Sequence, residues 1–305
     1  MRLRHKLLSN KGSSAVFFAL GLTVVLTCAA LAVDIGMVVH EKSRLSAAVD
    51  SAALAGAQEL VSNTGNTSNV VETYLAKNTG ILKQLDIKIE SNNRRIEVKG
   101  IKTVQNYFAR VFGQNSQDIS AIARAKVENI SSLKGTRPLA VIDQTFVYGQ
   151  LYTLKEGAGD GTSGNYAAIA LGGTGTSVYR DNLLYGYSGA ISVGDEIETE
   201  TGVIAKTTET SINHLINDCG HTPSCNYQYY NKTCSRIIFI PIVNTLDVNG
   251  RKYVKVLGFG TFFLEGTVNK GGHTDVIGRF ITYHANGETS NEVNDYGTYG
   301  IRLVK

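Results

Sequence analysis

The chain has 305 residues, with 30 Lys+Arg against 26 Asp+Glu and a net charge of +4. Four of those cations, Arg2, Arg4, Lys6 and Lys11, stand ahead of the first acidic residue, Asp34. Beyond them the count is 26 against 26, so the pI near 8.7 is no nucleic-acid footprint and no nucleic-acid partner is expected.

Ala15 to Val33 is a run of nineteen residues without a charge. As a helix rising roughly 1.5 Å per residue it covers about 28 Å, the hydrocarbon thickness of a bilayer. Residues 1–13 then form a basic cytoplasmic stub, residues 14–34 a single transmembrane helix, and the bulk of the chain lies on the extracytoplasmic side of the membrane. A cleaved signal peptide is the alternative, with Ala30-Leu31-Ala32 as its small-residue site, although the run exceeds the usual signal core of about 7–15 residues. A buried helix of a soluble domain is a third reading, and a basic tail ahead of it argues against that.

Helical character continues beyond Asp34. Residues 35–61 contain no proline and many alanines, the strongest helix formers. Leu45, Ala48, Val49, Ala52, Ala53 and Gly56 follow i, i+3, i+4, i+7, i+8, i+11 spacing. The spacing predicts one long helix with a small-residue stripe, and Leu45, Ala48, Ala52 and Ala53 are its candidate docking face, since small side chains allow close approach.

Residues 62–132 read as a small α+β module. Turn formers at 62–69 end the long helix, and Val70–Ala76 predicts a short one. Leu85, Ile87 and Ile89 alternate with charged residues, Ile96 and Val98 alternate again, and Ile119 to Val127 gives a third strand. Between them Val104, Tyr107, Phe108, Val111 and Phe112 have helical spacing, closed by Gly113.

Three segments carry a resemblance: LAVDIG (Leu31–Gly36) with RLSAAVDSAALAGA (Arg44–Ala57), YFARVFG (Tyr107–Gly113), and ISAIARAKV (Ile119–Val127). Together they resemble the TadE/TadG-like proteins of Flp (tight adherence, Tad) pilus assembly, over residues 1 to about 130. Tyr179–Gly202 also looks like a segment that follows this part in some bacterial members. The resemblance implies a membrane-anchored assembly component whose partners are the membrane and other pilus-assembly proteins. Pilin-like members are cut after a glycine and need glutamate five residues on. Here Phe17 stands five residues after Gly12, which favours an accessory over a polymerised pilin. Larger members hold a metal through Asp-x-Ser-x-Ser. Asp160-Gly161-Thr162-Ser163-Gly164 fails that pattern at its last position.

From Leu139 the composition shifts. Twelve of the 32 glycines lie between Gly149 and Gly202, and apolar β-branched and aromatic runs occupy 236–243, 253–264, 276–283 and 299–304. Val248-Asn249-Gly250-Arg251 is a hairpin signal. Residues 136–305 therefore read as a β-rich domain, with 131–138 as linker. The whole is an α+β chain: a transmembrane helix extended into a long helix on a small α+β layer, then the β-rich domain.

Cys219, Cys225 and Cys234 fall in the external part, where the favoured reading is one disulfide with one thiol left over. Unpaired thiols, or zinc held by these residues with His214 and His221, are the other readings. The spacing lacks a Cys-x₂-Cys pair, so no metal or cofactor is expected. Asp195, Glu196, Glu198 and Glu200 read as a solvated loop face, with weak calcium binding as the alternative. Gly186-Tyr187-Ser188-Gly189 is no nucleophile elbow, and Leu171–Ser177 lacks the lysine of a phosphate loop. No catalytic residue or small-molecule substrate is expected. The leading expectation is a non-enzymatic scaffold or docking protein on the outer face of the membrane. The alternative is a surface adhesin whose β-rich domain binds a carbohydrate or protein.

Overall fold

The computed structural model describes residues 11–62, 64–90, 92–156, 165–200, 204–246, 252–270 and 272–304. The chain divides into two compact units, Met1–Ala125 with Leu303–Lys305, and Lys126–Arg302.

The first unit begins with one continuous helix, α1 (Lys11–Ser62), which joins the apolar run and the alanine-rich stretch as expected. A second helix, α2 (Thr67–Thr79), is longer at both ends than the Val70–Ala76 spacing suggested, and packs against α1. Strands β1 (Gln84–Ile89) and β2 (Arg95–Gln105) pair antiparallel, with Ile87 opposite Val98, and turn at Asn92–Asn93, where Asn93 takes φ 53°. β3 (Ser116–Lys134) lies beside β2.

The core of this unit is the small-residue stripe itself. Leu45, Val49, Ala52, Ala53 and Ala57 are fully buried, as are Val71 of α2 and Ile96 and Val98 of β2. Gly56 shows why the stripe is small: a Cβ there would meet Val71 Cγ2 at 2.6 Å and Ile96 Cδ1 at 2.9 Å. Helix and sheet approach so closely that not even a methyl fits.

Two expectations are corrected here. Val104 to Gly113 is not a helix: β2 runs through Val104 to Gln105, and only Ala109–Phe112 forms a single 3₁₀ turn. Its i, i+3, i+4 spacing reflects a tight turn with its apolar side chains turned outward. Residues 131–138 are not a free linker, because β3 continues to Lys134 with an alternating burial pattern.

The second unit contains β4 (Leu139–Ile142), β5 (Leu151–Glu156), β6 (Asn165–Ala168), α3 (Thr176–Tyr185), β7 (Ala190–Ser192), β8 (Glu196–Glu198), α4 (Ala205–Asn217), β9 (Ile237–Val243), β10 (Tyr253–Lys270), β11 (His273–Ile281), β12 (Tyr283–His284), β13 (Gly287–Ser290) and β14 (Thr298–Val304). Seven strands pair in the order β11-β5-β6-β4-β9-β10-β8, and β10 also pairs with β11, which closes six of them into a ring. Closure removes the exposed edges that invite aggregation. Phe262, Phe280, Ile240 and Leu154 fill its core together with Tyr179 and Leu183 of α3 and Ile212 and Leu215 of α4. Both helices were absent from the sequence reading. The Asn249–Gly250 pair lies outside the described residues, and the strands flanking it, β9 and β10, do pair antiparallel.

β7 and β13 pair with the last residues of β3, and β14 lies beside β3 and parallel to β12. Here Glu128 is almost fully buried, and Arg302 grips it through Nε–Oε2 at 2.6 Å and Nη2–Oε1 at 3.1 Å.

Candidate functional site

Ser14 to Val33 is the uncovered part of α1. None of its most apolar stretch is buried within the chain, and Phe17 and Phe18 are 72% and 73% exposed. Such a surface is stable only where lipid or another apolar surface replaces water. The helix also satisfies its own polar groups: Thr23 Oγ1 donates to Ala19 O at 2.9 Å, and Thr27 Oγ1 to Thr23 O at 2.8 Å.

Asp34 ends the run, and its side chain is 4% exposed. Its Oδ1 accepts the Tyr107 N–H at 2.9 Å, and its Oδ2 accepts those of Phe108 at 3.0 Å and Ala109 at 2.7 Å. Amides at the start of a helical turn have no partner within the turn, so a carboxylate placed there caps three at once. Gly113 closes the other end in the left-handed region (φ 83°), donating to Arg110 O at 3.0 Å.

The capped turn carries an apolar surface. Tyr107, Phe108, Val111 and Phe112 are exposed, Val111 by 81%. Phe108, Val111 and Phe112 line a groove of about 500 Å³ with Leu26, Ala30 and Val33 of α1. The turn is thus fixed beside the end of the apolar helix, a juxtaposition that sequence reading missed.

Further along α1, Glu41 pairs with Lys102 at 2.7 Å, and Lys102 also donates to Thr79 O at 3.1 Å. The hydrogen bond that Lys102 donates to Glu41 holds this carboxyl below its ordinary range against the opposing effect of burial. Lys42 donates to Ser120 O. Leu45, Ala48, Ala52 and Ala53 are all buried under this layer. The expected docking face is therefore filled from within the chain, because α2 and β2 need the same close approach that a partner would.

In the second unit the cysteines meet. Cys219 Sγ lies 3.2 Å from Cys234 Sγ and 3.6 Å from His221 Nδ1, and with Cys225 all four ligand atoms fall within 4.8 Å of one another. No bond joins the sulfurs. His221 brings the Cys219 thiol down to about 6, whereas burial raises Cys234 to about 12. His214 sits exposed on α4 outside this group, and Cys28 is exposed on α1. Of the acidic residues, Asp195 accepts the Ser192 N–H and Glu200 the Gly175 N–H, so both serve turns. The string Asp160–Gly164 lies outside the described residues.

Residues 12–59 match the family model described as "Putative Flp pilus-assembly TadE/G-like". The N-terminal helix is a TadE/G-like segment. The match takes in both Asp34 and the buried small-residue stripe, whereas Tyr107–Gly113 lies beyond it. No curated protein and no solved structure matches the chain. The family points to a role in Flp pilus assembly, structural rather than catalytic, alongside the membrane and other pilus components. With the apolar helix it supports membrane anchoring.

Proposed function

We propose that this TadE/G-like chain is a non-enzymatic scaffold of Flp-type pilus assembly, held in the membrane by residues 14–34 with its folded mass on the outer face. The observation that carries the reading is the family match lying on the one described helix that is apolar and uncovered. The basic stub supports the orientation, since Lys and Arg favour the cytoplasmic side.

On this reading Asp34 marks the outer boundary of the bilayer. The turn it caps then rests in the headgroup region with Phe108, Val111 and Phe112 toward the acyl chains, as aromatic side chains do at membrane interfaces. The turn fixes how deep α1 sits. Partner contacts fall on surfaces still open beyond Asp34, such as Ile35 and Val39, which are 64% and 62% exposed one helical turn apart.

In-frame deletion in the host, with complementation by the full chain, tests the role. Loss of pili on deletion and their return on complementation are expected. Unchanged piliation with lost surface attachment would replace this reading by that of an adhesin.

A further inference from the structure

Residues 218–236 connect α4 to β9 through nineteen residues with no helix or strand of their own. Loops of that length in a compact unit are uncommon, and here one short apolar patch, Cys225 and Cys234 beside Phe263 and Ile281, is the core beneath it. Within this loop stand the four residues whose ligand atoms converge. We infer that Cys219, His221, Cys225 and Cys234 bind one zinc ion in a closed, structural Cys₃His site.

The distances fit. Zn–S of about 2.3 Å and Zn–N of about 2.0–2.1 Å in a tetrahedron place ligand atoms roughly 3.5–3.8 Å apart. Cys219 Sγ to His221 Nδ1 is 3.6 Å, and the Cys219–Cys234 sulfurs, at 3.2 Å, need to part by only a few tenths of an ångström. The backbone supports the site as well: Cys225 Sγ accepts the Asn231 N–H at 3.4 Å, an outer-shell contact of the kind that tunes metal-bound thiolates. Zinc with three thiolates and a neutral imidazole carries one net negative charge. The Arg236 guanidinium is held close by, donating to Cys225 O at 2.9 Å.

Sulfur and imidazole in a tetrahedral set select zinc over the harder divalent cations. Four protein ligands leave no open position, so the role is structural. A Cys219–Cys234 bridge is the competing state, and it would leave Cys225 a buried thiol and His221 without a task. The three cysteines bind as thiolates, any proton still on a thiol goes to solvent, and no oxidant is involved. The inference does not depend on a role in pilus assembly.

The test uses the full chain, extracted in detergent without chelator and assayed for metal and for free thiols. About one zinc per chain is expected, and replacement by cobalt should give the thiolate-to-metal charge-transfer absorption of a tetrahedral sulfur site. Cys28→Ser should keep the metal and Cys225→Ser should lose it. His221→Ala should bind cobalt at least 10-fold more weakly with an altered spectrum. A metal-free chain carrying a Cys219–Cys234 bridge would overturn the inference. So would four free thiols, Cys28 among them, in a chain that takes up neither zinc nor cobalt. The unmodified chain alone decides between these results, so misfolding of a variant does not obscure them.

Discussion

Asp34 Oδ2 accepts a 2.7 Å hydrogen bond from the N–H of Ala109, a residue 75 positions away. Since the same carboxylate also caps Tyr107 and Phe108, removing it leaves three amides unpaired in a site where water reaches poorly. Asp34→Ala should destabilise the first unit by about 1–3 kcal/mol, and Asp34→Asn, which keeps one acceptor oxygen, by less. Hydrogen exchange of the full chain in detergent should show the 107–109 amides exchanging fastest in the alanine variant. Unchanged protection there would mean that the turn holds itself.

Gly56 and Gly36 lie on the same helix and should answer opposite ways to alanine. Helix propensity favours alanine by about 1 kcal/mol at either place. At Gly36 nothing lies within 4 Å of the added methyl, so Gly36→Ala should stabilise. At Gly56 the methyl meets Val71 at 2.6 Å, and overpacking of about 1–3 kcal/mol should outweigh the gain. Thermal unfolding of the two variants checks the signs.

Ala52 is fully buried in the core that α1 shares with α2 and β2. Ala52→Glu should therefore unfold the first unit, costing several kcal/mol for a buried, unpaired carboxylate. It should not act as a selective lesion in partner binding. Rapid proteolysis of residues 35–125 in the purified variant is the expected result, whereas a folded variant lacking only its partners would restore the docking-face reading.

Glu128 gives the second unit a pH dependence. Its side chain is 2% exposed, and Arg302, followed by Lys126 at 2.7 Å and Thr289, holds its pKa at about 2, against an ordinary value of 4.5. Because the folded-state value is the lower one, the stabilisation is complete above about 4.5 and is lost as pH falls from there towards 2. It amounts to about 3 kcal/mol at most. Melting temperatures of the full chain between pH 5 and pH 3 should fall less steeply for Glu128→Gln than for the unaltered chain.

Much of the fold was legible because one-dimensional patterns decide it. The uncharged run and the alanines give α1, and alternation in Leu85–Ile89, Ile96–Val98 and Ile119–Val127 gives the first three strands. The helix α4 was legible too and was missed: Ala205, Thr208, Ile212 and Leu215 repeat at helical spacing and are its buried face, inside a half read as β-rich. The sites were less accessible. Asp34 follows the apolar run like any boundary charge, and nothing local tells that it caps a turn 75 residues away. The spacing 219, 221, 225, 234 matches no short metal motif, because a doubled-back loop, not a local turn, gathers those side chains. The small-residue stripe shows the limit most clearly, since spacing reveals that something packs closely there but not whether it is the same chain.

Whether α1 stays intact and embedded in the membrane is tested directly by the intact mass of the chain recovered from host membranes after an alkaline carbonate wash. A chain that stays with the lipid pellet and retains residues 14–33 is the expected result. A chain starting near Val33, or one released by the wash, would contradict it.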